Sequence, residues 1–98
     1  MKPVPESPLD ALEIFCSPDA EEWERDYAAM MITALDEALP HLAATARDPN
    51  ASPALQQRVA GCLANAWRDR GMLFTANIEG FTPVARKEVL FQRGAGPP

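Results

Sequence analysis

Chemistry at a protein surface needs nucleophiles, acids, bases or metal ligands at workable spacing, and this chain is poor in all but carboxylates. Its single histidine, His41, follows Pro40 and has no sequence-local partner. Neither a Ser-His-Asp nor a Cys-His arrangement can be argued around it, so a surface or capping role is expected. Cys16 and Cys62 lie far apart among apolar neighbours, without metal-ligand spacing, and are expected as two buried thiols. The five glycines are scattered and form no phosphate-cradling loop. The carboxylates do not follow the spacing of a calcium-binding loop. The sequence therefore assigns no catalytic, cofactor-binding or metal-binding residue, and the chain is read as a non-enzyme that acts by binding another macromolecule.

The carboxylates themselves carry the signal. Eleven of the fourteen acids fall in residues 1–50 beside three bases, a net charge of −8; the second half carries +3, and the whole chain −5. An acidic chain is repelled by nucleic acid and by anionic membrane, which leaves a basic protein as the natural partner. The densest run is Asp19-Ala20-Glu21-Glu22-Trp23-Glu24-Arg25-Asp26. Part of it suits the positive end of a helix dipole. Like charges so close repel one another, a cost that a basic partner would offset. The candidate partner-binding residues are Asp19, Glu21, Glu22, Glu24, Asp26, Asp36 and Glu37.

The elements that hold these residues are punctuated by prolines. Ser7-Pro8, Ser17-Pro18, Ser52-Pro53 and Thr82-Pro83 each pair a hydroxyl N-cap with a proline at the first helical position, where a missing N–H costs nothing. The first predicted helix is short, from Pro8 to Phe15. The second begins at Pro18, and Trp23, Tyr27, Met30, Met31, Ala34, Leu35 and Ala38 recur at helical steps as its core stripe, with Trp23 inside. Pro40 is expected to end or kink it near Ala38 or Leu39. A third helix covers His41 to Arg47, before an Asp48-Pro49-Asn50 loop. The fourth runs from Pro53 to Arg70, with Leu55, Val59, Cys62, Leu63, Ala66 and Trp67 facing inward and Gln56, Gln57, Asn65, Arg68 and Asp69 outward. Gly71 is the expected left-handed stop. Residues 72–81 read as an ordered loop that carries Phe74, Ile78 and Phe81 into the core, and a last helix spans Pro83 to Phe91.

The fold class is thus all-α, a compact bundle of about five helices. Residues 1–7 are expected as a disordered segment, 8–92 as a single helical domain and 93–98 as a flexible tail. The N-terminus shows no signal-peptide pattern and no stretch approaches the ~20 apolar residues of a membrane span, so the expected compartment is the cytoplasm. Glu88-Val89-Leu90-Phe91-Gln92 matches the core of a picornaviral 3C-type protease site, followed by Arg93 in place of the usual Gly-Pro. It is either a tag remnant or native sequence, and its continuity with the preceding helical pattern favours the second.

The stretch Ala38-Leu39-Pro40-His41-Leu42 through Asp48-Pro49, then Ser52-Pro53 to Ala66-Trp67, resembles a HEAT-like helix pair joined by an Asp-Pro loop. With Leu63-Ala64 and Trp67 closing one helix and Phe81-Thr82-Pro83 opening the next, it is similar to small helical immunity proteins of bacterial contact-dependent inhibition and polymorphic toxin systems. The likeness covers about Trp23 to Leu90 and shows no second copy of a repeat period. It implies one-to-one binding and neutralisation of a cognate bacterial toxin, often a basic nuclease of RNase or tRNase type, and it supplies no contact residues. The alternative reading is a helical adaptor or scaffold module that holds a peptide or an enzyme partner.

Overall fold

Three of the four hydroxyl–proline pairs start helices. Ser7 caps α1 (Pro8–Cys16) by accepting the Asp10 N–H at 3.2 Å. Ser52 caps α4 (Pro53–Asp69) through the Leu55 N–H at 3.1 Å. Thr82 caps α5 (Pro83–Gln92) through the Ala85 N–H at 3.2 Å. A hydroxyl at each site satisfies a donor that the first turn leaves orphaned. The remaining helices are α2 (Glu22–Met31) and α3 (Leu39–Ala46), with a 3₁₀ turn at Asp36–Ala38 between them. The computed structural model describes residues 5–94, and among them no strand occurs. Of the expected disordered segment 1–7, residues 1–4 lie outside the described residues, and of the expected tail 93–98, residues 95–98 do.

Ser17-Pro18 behaves differently from the other pairs. Ser17 ends α1, its N–H donating to the Ile14 carbonyl at 3.1 Å, and Pro18 lies in the turn that follows. α2 begins four residues later than expected, where the Glu21 N–H donates to the Glu24 carboxylate at 2.9 Å. It also ends well before Pro40. The carbonyls of Thr33 and Ala34, just past its end, accept from the Arg70 guanidinium at 3.2 Å each, and the same group donates to the Ala66 carbonyl at 3.0 Å. A charged donor from α4 thus satisfies carbonyls that a continuing helix would have paired internally. Pro40 sits in the first turn of α3, where proline is tolerated.

α4 is the central element: it packs against α3 and α5 along its length and against α2, while α1 packs on α2. Leu55, Val59, Cys62, Leu63, Ala66 and Trp67 are buried, as their period predicts. Gln56, expected on the outer face, is buried too. Its Nε2 donates to the carbonyls of Asp48 and Ala51, and its Oε1 accepts from the Thr82 hydroxyl at 2.9 Å, so every part of the amide is matched. Gly71, with φ of +70°, stops α4 in the left-handed region, as expected.

The 72–81 loop contributes Leu73, Ile78 and Phe81 to the core, and Phe81 stacks on Trp67 with ring centroids 6.2 Å apart. Phe74, expected inside, points out and is 72% exposed. Two arginines hold the loop. Arg47 donates to the carbonyls of Glu79 and Asn77 and lies 4.9 Å over the Phe81 ring; Arg93 donates to the carbonyls of Leu73 and Ala76. With its backbone tied on either side of Phe74, the loop has no need of that ring as an anchor. Glu88–Gln92 is part of α5, with Val89 fully buried.

Candidate protein-binding surface

The seven candidate acids divide into two groups at opposite ends of α2. Asp19, Glu21, Glu22, Glu24 and Asp26 surround its start; Asp36 and Glu37 lie in the 3₁₀ turn beyond its end, with α2 itself spanning about 15 Å between them. Their chemical states differ. Asp26 forms an ion pair with Arg58 at 3.1 Å, and Asp36 pairs with Arg70 at 2.8 Å. Glu24 accepts the Glu21 N–H, and Glu21 accepts the Trp23 indole N–H at 2.7 Å. Asp19, Glu22 and Glu37 are exposed, and their carboxylates have no partner within the described residues.

The bases show the complementary pattern. Arg58 and Arg70 are taken by the carboxylates just named. Arg25 donates to the Ser17 carbonyl at 2.8 Å, Arg47 and Arg93 hold the 72–81 loop, and Arg68 donates to Asn65 and Gln92. Among the described residues only Arg86 and Lys87 are cations without a partner. The acids Glu6, Asp10, Glu13, Asp19, Glu22 and Glu37 all remain exposed and unbonded through their side chains. Folding therefore pairs two charges of each sign, Asp26 with Arg58 and Asp36 with Arg70, and ties four further arginines to neutral oxygens, while six acids of the N-terminal half stay exposed and unbonded.

α2 also carries the largest departure from the sequence expectation. Its core contacts come from Ala28 and Ala29 and from Ile32, which caps its end, all fully buried. Trp23, 59% exposed, together with Tyr27 and Met30, lies on the opposite side. α2 has two apolar stripes, and the one with small side chains is inside because it lets the helix lie close to α1 and α4. The signal for this was present: Ile32, in step with Ala28 and Ala29, has no place on the Trp23 stripe.

Between α2 and α5, over the outer face of α4, runs an open groove of about 630 Å³. Ala54, Gly61 and Cys62 of α4 form its floor, Met30 and Thr33 one wall, and Glu88 and Gln92 the other. A hydrogen-bonded belt stiffens the α5 wall: Gln57 and Gln92 donate to Glu88, and Arg68 donates to Gln92. Burial pushes the Cys62 thiol up to about 11, with Arg58 opposing and Asp26 reinforcing the shift, so Cys62 is a poor nucleophile at neutral pH. Cys16, expected to be buried, is exposed at the end of α1. His41 is exposed in the first turn of α3. No group of three metal-ligating side chains occurs among the described residues, and no helix there is long and apolar enough to cross a membrane. The sequence matches no family model, no curated protein and no solved structure.

Proposed function

We propose that this protein is a binding module for a basic protein, and specifically an immunity protein that captures and neutralises a cognate toxin of basic-nuclease type, one to one. The observation that carries the reading is the sorting of charge. Six arginines are engaged within the fold, while Asp19, Glu22 and Glu37 face solvent unpaired. Carboxylates kept free on a small rigid domain attract a positive surface over a distance of about a Debye length, roughly 8–10 Å at ordinary salt. They raise the association rate with it, a useful property in an inhibitor. The adaptor reading draws support from a different observation, the open groove of about 630 Å³ between α2 and α5.

The test is co-expression with the product of the gene immediately upstream, the usual place of a toxin gene beside its immunity gene. The wild-type chain is expected to protect the cell and to bind that product. The triple variant Asp19→Lys, Glu22→Lys, Glu37→Lys is expected to keep its fold, losing about 1 kcal/mol or less where Glu22 meets the α2 dipole, while associating ~10-fold or more slowly at low salt, an effect that fades as salt is raised. These three are chosen because reversing Asp26 or Asp36 would also strand Arg58 or Arg70. Absence of protection by the wild-type chain rejects the immunity reading. Unchanged association by the triple variant rejects the electrostatic one.

A further inference from the structure

Trp23, Tyr27 and Met30 stand at i, i+4 and i+7 on α2 and form one exposed stripe directly opposite the buried Ala28, Ala29 and Ile32. Large aromatic and thioether side chains are the types that dominate protein interfaces: they offer wide contact area for few rotatable bonds, and methionine adapts to the shape it meets. Trp23 is also pre-set. Its indole N–H already donates to the Glu21 carboxylate at 2.7 Å, which restrains the ring and satisfies its one polar atom, so covering the ring leaves no donor unpaired. At the other end of the stripe, Met30 forms a wall of the α2–α4–α5 groove, and the apolar face thus leads into a concavity.

Charge identifies the occupant. Glu22 and Asp26 flank the stripe on one side and Glu24 on the other, and neither Glu22 nor Glu24 is paired with a base. A second copy of this chain laid on the stripe would oppose like charges, and an anionic membrane would meet the same repulsion. The stripe is two helical turns long, about 10 Å. The groove floor from Ala54 to Asn65 adds a further track of about 16 Å. We infer that the Trp23–Tyr27–Met30 face of α2 is the docking seat for one amphipathic helix of the partner protein, apolar along its inner face and bearing lysine or arginine on either side. The inference rests on the binding function proposed above and divides the labour within it: the carboxylates speed encounter, and the aromatic stripe sets how long the complex lasts.

The experiment uses the full chain, ¹⁵N-labelled, and an 18-residue helical peptide of leucine and lysine in amphipathic order. Its controls are a glutamate-for-lysine twin and a peptide of the same composition with the leucines scattered around the helix. The lysine peptide is expected to bind and to shift the Trp23 indole N–H resonance. Trp23→Ala and Met30→Ala are expected to keep the wild-type circular dichroism and melting curve, since both residues are exposed, and to weaken binding about tenfold or more, chiefly by faster dissociation. Glu22→Lys should instead slow association. The seat is overturned by no binding of the lysine peptide, by equal binding of either control peptide, by undiminished binding to Trp23→Ala, or by a concentration-dependent dimer that Trp23→Ala abolishes. The two readings fail separately. A chain that holds the lysine peptide through Trp23 yet gives no protection on co-expression keeps the docking seat and loses the immunity role. One that protects equally with and without Trp23 keeps the role and loses the seat.

Discussion

α2 and α4 are both amphipathic and they pack against each other, but they bury opposite kinds of side chain. α4 turns its bulk inward: Leu55, Val59, Leu63 and Trp67 fill the centre of the molecule, and its outer face is Ala54, Gly61, Asn65 and charged or amide groups. α2 buries alanines and one isoleucine and leaves Trp23, Tyr27 and Met30 outside. The contrast follows from position. α4 is surrounded and must fill volume, which large side chains do; α2 is a peripheral helix held against α1 and α4, and small side chains let it approach closely. An apolar stripe on a surrounded helix therefore reports on the core, whereas on a peripheral helix it can equally report on a partner.

The contrast is breakable, and the largest expected effect lies in α4. Trp67→Ala removes a ring that is 7% exposed and stacked on Phe81, and should destabilise the domain by about 3–5 kcal/mol. For a chain of this size that is a fall of well over ~10 °C in melting temperature, read by thermal denaturation. A near-wild-type melting curve would mean that the centre of the bundle is not where α4 places it.

The next effect is at the junction of the two helices. Arg70→Ala strands the carbonyls of Thr33, Ala34 and Ala66 and unpairs Asp36, with an expected cost of about 1–3 kcal/mol by chemical denaturation. Arg70→Lys should recover only a part, since a single ammonium cannot span the carbonyls that the planar fork reaches together. If the alanine variant is neutral, the end of α2 is not set by this arginine.

The smallest effect is the sharpest test of the comparison. Trp23→Ala removes the same side chain as Trp67→Ala but from the outer face, and stability should change by no more than about 0.5 kcal/mol. Equal losses at the two tryptophans would put the Trp23 stripe back in the core. A large loss at Trp67 with none at Trp23 leaves an aromatic face that contributes nothing to folding and is available for binding.

How much of this was legible beforehand varied with how local the cause was. The capping pairs at Ser7, Ser52 and Thr82, the stop at Gly71 and the inward face of α4 were readable because each depends on a few neighbouring residues and on the helical period. The charge imbalance between the halves was readable by counting. The candidate acids stand out in the sequence, but their states do not: that Asp26 and Asp36 are paired while Asp19, Glu22 and Glu37 are free depends on Arg58 and Arg70, more than thirty residues away in the chain from the acids they pair. The early end of α2 had no local mark, because the group that satisfies the carbonyls just past it, Arg70, caps another helix.

The amino-acid order by itself determined that this chain is helical, where most of its helices start, and that its negative charge is gathered toward the N-terminal half. Those properties arise from hydrogen bonds and side-chain periods that act within one or two turns. Tertiary structure decided which of α2's two apolar stripes is covered, which carboxylates keep their charge unopposed, and that Phe74 stays outside while Gln56 goes in. Burial is a competition among all elements for a limited interior, and its outcome depends on which neighbour supplies volume, and which supplies a hydrogen-bond partner, at each point.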